Sequence, residues 1–141
     1  MRPIRRTHWS GRLACGLGLC FLGALQLVRA EPEVTGDPAR GAGIYSRCLA
    51  CHALEYDRTG PRHCGLFGRK AGSVPGFEYS DAMKKSNIIW NSETLNWFLQ
   101  SPMTAIPGTA MGYAGISDAQ ERADLIAYLK QADASPQCKG K

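Results

Sequence analysis

No apolar run in this chain reaches the roughly 20 residues that a membrane-spanning helix needs. The longest, Leu13 to Val28, is about 16 residues and is interrupted by Gly16, Gly18, Gly23 and Gln26. No stretch alternates apolar and polar residues as a half-buried strand does, so a sheet-based fold is not expected. Internal repeats are absent, which excludes a solenoid or propeller. Basic residues interleaved with aromatics are missing from residues 31–141, which removes the usual footprint of a nucleic-acid binder. Charged residues make up only 21% and hydrophobic ones 44%, values that exclude a disordered or collagen-like chain. At 141 residues, a single core and hence a single domain are expected.

The chain does carry a net charge of +5 and a pI near 9.0. That charge is not evenly spread. Arg2, Arg5, Arg6 and Arg12 precede the apolar run, and Val28-Arg29-Ala30 follows it with the short residues that a signal peptidase reads. This is the layout of a secretory signal over residues 1–30, with cleavage expected after Ala30 and a domain of residues 31–141 left behind. Cleavage would discard five arginines and no acid, leaving 12 basic and 12 acidic side chains.

The remainder reads as helices separated by long loops. Asp37-Pro38 gives an N-cap with proline at the first helical position, and Gly41, Ile44, Tyr45 and Cys48 follow at helical spacing. A first helix from about Pro38 to Ala50 is therefore expected. Residues 53–77 carry Gly60-Pro61, Gly65, Gly68, Gly72 and Pro75-Gly76, loop chemistry over a length that normally wraps something. Ser80 to Ser86 suits a short helix. Asn91 or Ser92 caps another, with Leu95, Phe98 and Leu99 on one face and Pro102 beyond its end. Residues 101–117 again read as irregular. Asp118, with Glu121 three residues on, forms a capping-box pattern ahead of Leu125, Ile126, Tyr128 and Leu129. The fold class is all-α, with too little helix to close a core without a non-protein group at its centre.

Cys48-Leu49-Ala50-Cys51-His52 names that group. Two cysteines with two residues between them, followed directly by histidine, suit covalent attachment of a haem through its two vinyl groups, with His52 turned to the iron. An axial imidazole binds in its neutral form and needs an acceptor for its other nitrogen; a carbonyl near Pro61 is the candidate. A thiol redox motif would call for a βαβ pattern, which is missing. A zinc site built from Cys48 and Cys51 with His63 or Cys64 has plausible spacing and remains an alternative. Because haem is attached outside the cytoplasm to an unfolded chain, general secretion fits better than export of a folded protein, despite Arg5-Arg6. A second axial ligand would come from Met83, Met103, Met111 or His63.

Ile106-Pro107-Gly108-Thr109-Ala110-Met111, followed by Ala114-Gly115-Ile116, resembles the methionine-ligand loop of class I c-type cytochromes of the mitochondrial and bacterial c2 kind. The resemblance extends over residues 36–132 and includes Thr59-Gly60-Pro61, Gly65 to Arg69, Pro75-Gly76-Phe77, Tyr79, Trp90 and Asp124 to Lys130. It implies three main helices and one or two short ones wrapped by long loops around one haem c, linked through Cys48 and Cys51. His52 and Met111 would be the axial ligands, and Arg69, Tyr79 and Trp90 would hold the propionates. Gly41 and Tyr45 would cross the last helix at Leu125, Tyr128 and Leu129. The function implied is that of a soluble, monomeric, periplasmic one-electron carrier and not an enzyme. Its partners would be membrane or periplasmic redox proteins, with no nucleic acid and no stable membrane insertion after signal cleavage. A haem subunit of a periplasmic dehydrogenase or oxidase complex is the alternative.

Several residues depart from the family pattern. Phe98 stands where a tyrosine usually lies near the ligand sulfur, Met83 replaces a polar residue, and His63 replaces an apolar one. Lysines that ring the haem edge in relatives are replaced by Met103, Thr104, Ala110, Ser117 and Asp118, while Arg47 and Arg58 remain as a modest basic side. Weak electrostatic steering is expected. Of six cysteines, Cys15 and Cys20 fall in the signal and two serve the haem; Cys64 and Cys138 remain, an even pair that suggests a disulfide in an oxidising compartment.

Overall fold

The computed structural model describes residues 35–139; the signal segment lies outside the described residues. Five helices follow one another: α1 (Pro38–Tyr45), α2 (Asp81–Lys85), α3 (Ser92–Gln100), α4 (Pro102–Ala105) and α5 (Ala119–Asp133). Among the described residues the only strand-like pairing is a single bridge between Lys70 and Ile89.

The Asp37 carboxylate caps α1 by accepting from the Ala39 N–H at 2.8 Å, and Pro38 opens the helix where no N–H is needed. The helix is shorter than the expected Pro38–Ala50. It tightens into a 3₁₀ turn over Ser46–Cys48, and turns continue to His52, whose N–H reaches Cys48 O at 2.9 Å. Ser46 Oγ donates to Gly43 O at 2.7 Å, a back-bond that competes with the regular helical ladder there. The cysteines thus sit on a tightened turn rather than on an extended α-helix.

Helix α1 crosses α5 in direct contact. A Cβ on Gly41 would lie 2.0 Å from Asp124 O and 2.7 Å from Tyr128 Cβ, so no other residue fits without moving backbone. The Tyr45 and Tyr128 rings meet one turn further on, centroids 5.0 Å apart. Asp124, buried to 2% exposure, locks the crossing. Its carboxylate accepts from the Asp37 N–H at 2.7 Å, Arg40 Nε at 2.7 Å and Nη2 at 3.0 Å, and Gln120 Nε2 at 2.9 Å. Those donors hold the Asp124 carboxyl far below the ordinary carboxylate range, the Arg40 bond contributing most.

The buried Arg122 is matched in the same way, donating to Asn96 Oδ1 at 2.8 Å and to the carbonyls of Ile116 and Ser117 at 2.7 and 2.8 Å. It ties α5 to α3 and to the loop between them. Among the described residues no buried side-chain polar atom lacks a partner.

Helix α3 is capped by Asn91, whose side chain accepts from the Thr94 N–H while Thr94 Oγ1 accepts from the Asn91 N–H, at 2.8 and 2.9 Å. At α5 the expected capping box is only half formed. Asp118 accepts from the Glu121 N–H at 2.8 Å, but Glu121 turns outward to Arg47 instead of back to Asp118. Helix α4 is a one-turn element within the stretch that read as irregular, started by Pro102 and closed by Ile106 N–H to Pro102 O at 2.9 Å. Beyond it Gly115, at φ +102°, packs where a Cβ would lie 2.2 Å from Gln100 O.

Candidate functional site

The long segment between His52 and α2 returns on itself through a few backbone bonds. Gly68 N–H reaches Trp90 O at 2.8 Å, Trp90 N–H reaches Arg69 O at 2.9 Å, and Ala71 N–H reaches Ile88 O at 2.8 Å. With α3, α5 and residues 109–113, this segment encloses a cavity of about 480 Å³, within the range of small-molecule and cofactor sites. Its wall holds Cys48, Cys51, His52, Arg69, Tyr79, Trp90 and Met111 together, along with Met83, Phe98, Leu125 and Leu129.

Neither Cys48 nor Cys51 is engaged in a disulfide; the first is half-buried and the second exposed on the cavity wall. His52 Nδ1 lies 2.7 Å from Pro61 O, the acceptor expected in that loop. A ring nitrogen facing a carbonyl carries the proton, so Nε2 keeps its lone pair for a metal. Burial lowers the His52 pKa, favouring the neutral imidazole that a ligand must be, and the Pro61 bond partly opposes it. Gly60 makes room for the ring: a Cβ there would lie 2.3 Å from His52 Cε1.

Arg69 is fixed by donating to Cys64 O at 3.0 Å and Arg62 O at 2.8 Å, and burial lowers its pKa. Tyr79, its pKa raised by burial, packs edge-on against Phe77 at 4.7 Å. Trp90 is buried against Phe98, ring centroids 5.1 Å apart. Met111 is half-buried on the same wall. Two thiols beside a neutral imidazole, a thioether, and buried N–H and O–H donors around an apolar chamber form the donor set that a covalently held haem with two carboxylates requires.

The zinc alternative fails on geometry. Cys64 is joined to Cys138 by a disulfide, S–S 1.95 Å and Cα–Cα 5.0 Å, and among the described residues no group of three His, Cys, Asp or Glu is arranged to hold a metal ion.

The cytochrome c family matches residues 38–133. The chain belongs to the cytochrome c family. It is 46% identical to cytochrome c of Gibberella zeae over 101 residues, 69% of this chain and 95% of that protein. It is 42% identical to cytochrome c2 of Blastochloris viridis over 106 residues, 73% of this chain and 84% of that one. The solved structure of cytochrome cH from Methylobacterium extorquens superposes with a TM-score of 0.67 at 42% identity, covering 68% of this chain and 99% of that one. The fold is that of class I cytochrome c, and the cofactor is a haem c bound covalently through Cys48 and Cys51. Members of the family carry electrons.

Some features of this cytochrome were invisible in its sequence. Arg47, expected to offer free positive charge beside the haem edge, is engaged in a two-bond pair with Glu121 at 2.7 and 3.0 Å. Arg58 donates to Leu49 O. Glu121 therefore offsets Arg47, while Arg58, bonded only to a neutral carbonyl, keeps its charge. The Asp133 carboxylate at the end of α5 accepts from the N–H groups of Gly65, Leu66 at 3.3 Å and Phe67 at 3.4 Å, bracing the loop beside the haem site. His63 lies on the cavity wall, its ring stacked on His52 with centroids 4.4 Å apart and 19° between planes. Burial, then the proximity of His52 and Arg69, pushes its pKa down to about 3. The departure of His63 from the family's apolar residue was the signal; its pairing with Tyr45 was not legible, because Tyr45 read simply as part of an apolar helix face.

Proposed function

We propose that this cytochrome is a soluble, monomeric, periplasmic one-electron carrier whose iron is held by His52 and Met111. The observation that carries the reading is the His52–Pro61 bond of 2.7 Å, which leaves the imidazole Nε2 as the ligating nitrogen on a cavity that Met111 also lines. The haem supplies the one-electron couple of its iron. Around it, burial favours the neutral form of His52 and Pro61 orients its ring, while Met111 offers a thioether from a loop stiffened by Pro107 and turned at Gly108, φ +88°. Arg69, Tyr79 and the Trp90 indole provide donors for propionate carboxylates that would otherwise be buried unpaired. Methionine and histidine ligation with burial raises the reduction potential. With His52 and Met111 both holding the iron, no position would be left for a substrate, which argues for transfer rather than catalysis.

Export is supported by the basic, apolar and short-residue sequence of residues 1–30, and an oxidising compartment by the Cys64–Cys138 bridge. Among the described residues no helix is long and apolar enough to cross a membrane.

The test is the visible spectrum of the exported protein, oxidised and reduced, alongside Met111→Ala. A parent spectrum of covalent low-spin haem with a sulfur-ligand band, lost in Met111→Ala, is expected; the same band in both proteins would refute Met111 as ligand. Because Arg47 is neutralised by Glu121, electron-transfer rates should change less than threefold between about 0.02 and 0.2 M salt, and a steep fall in stopped-flow rate would contradict this.

A further inference from the structure

One hydrogen bond to Pro61 fixes which His52 nitrogen is protonated, but a ring hung on a single bond can still pivot about it. The structure contains a second restraint. The His63 ring lies nearly parallel to the His52 ring, 19° between planes and 4.4 Å between centroids. His63 Nδ1 in turn meets the Tyr45 hydroxyl at 3.1 Å. Among the described residues that hydroxyl has no other partner, and it can donate to Nδ1 or accept from Nδ1–H according to the His63 tautomer; either way the bond fixes the ring.

Every member of this chain of contacts is anchored. Tyr45 is 4% exposed, set by α1 and flanked by the Tyr128 ring. The His63 N–H is shared between Ala53 O and Leu54 O, both at 3.1 Å, and the Cys64 N–H reaches Leu54 O at 2.7 Å. The next residues are held from outside by the Cys64–Cys138 disulfide and by the Asp133 carboxylate. A flat ring so constrained can fix the plane of its neighbour, whereas an aliphatic side chain of similar size would only fill the space.

We infer that Tyr45 and His63 are a positioning pair that sets the plane of the His52 imidazole. The inference rests on His52 being the axial ligand. That plane decides which iron orbital meets the imidazole π electrons, so the pair tunes the electronic structure of the carrier without touching the iron. Tyr45 orients His63, and His63 orients His52.

The test is the proton NMR spectrum of the oxidised holoprotein, in which the haem-methyl shifts report the orientation of the axial imidazole. His63→Leu should redistribute those shifts and move the midpoint potential. His63→Phe, which keeps a flat ring, should restore most of the parent pattern. Tyr45→Phe, which removes only the hydroxyl, should shift the same methyls by a smaller amount and add nothing in the His63→Leu background. Unchanged methyl shifts in His63→Leu would overturn the inference while leaving His52 ligation intact. If His63→Leu does not mature, an unchanged spectrum in Tyr45→Phe would overturn it equally. A parent iron that lacks histidine ligation would remove the ligand assignment, and the inference with it.

Discussion

Helices α1 and α5 meet backbone to backbone, with Gly41 seated against Asp124 O and a four-donor carboxylate closing the crossing. The segments of residues 53–80 and 101–117 are organised differently. They have one four-residue helix, one side of a single β-bridge and a scatter of backbone bonds, and they surround a space rather than each other. The crossing is held by contacts the chain makes with itself, while the cradle depends on what it encloses. The two regions are coupled at one end, where Asp133 and the Cys64–Cys138 bridge fasten the cradle to the end of α5.

Removing the cofactor should break the cradle most severely. Without it the apolar wall of the 480 Å³ cavity, which includes Leu66, Phe98, Leu99, Leu125 and Leu129, has nothing to pack against. A Cys48→Ala/Cys51→Ala chain made without haem should therefore show little native helix by circular dichroism, the α1–α5 crossing included. Retention of native ellipticity would show that the crossing folds by itself.

Next comes the link between the regions. Replacing Cys64 and Cys138 by serine opens a loop with a sequence separation of 74 and should cost about 4 kcal/mol in denaturant unfolding. A loss under about 1 kcal/mol would mean that Asp133 alone holds the two parts together.

Gly41→Val attacks the crossing without touching the cradle. A Cβ forced to 2.0 Å from Asp124 O should lower stability by about 3 kcal/mol and leave the visible spectrum unchanged.

The smallest effect is expected from acid. The Asp124 carboxyl is held below its unfolded value of about 3.9, so its contribution is fully present above that pH. It is lost as pH falls through the carboxylate range towards the folded pKa. Asp124→Asn should flatten the stability-versus-pH curve below about pH 4, and an unchanged slope would assign the acid sensitivity elsewhere.

Much of the crossing was legible from local chemistry. Asp37-Pro38, Asn91 and Asp118 mark helix starts because a cap satisfies backbone donors within a few residues, and all three serve as caps. The cofactor was legible because its attachment needs three reactive side chains within five residues, Cys48 to His52. The first helix was overextended because nothing in the pattern revealed the Ser46 back-bond. Helix α4 was missed because one turn of four residues carries no period. The capping box at α5 was half wrong because Glu121 had a distant competitor, Arg47, 74 residues earlier in the chain.

The sequence by itself determined the helical class, the haem attachment point and the candidate ligands, since each follows from residue types at short, fixed spacing. Tertiary structure decided which polar groups meet: Asp124 with Arg40, Arg47 with Glu121, Asp133 with the loop at Gly65, and His63 between Tyr45 and His52. Those partners lie between 11 and 84 residues apart, and only the packing of α1 and the cradle against α5 and the haem site brings them within hydrogen-bond or stacking distance.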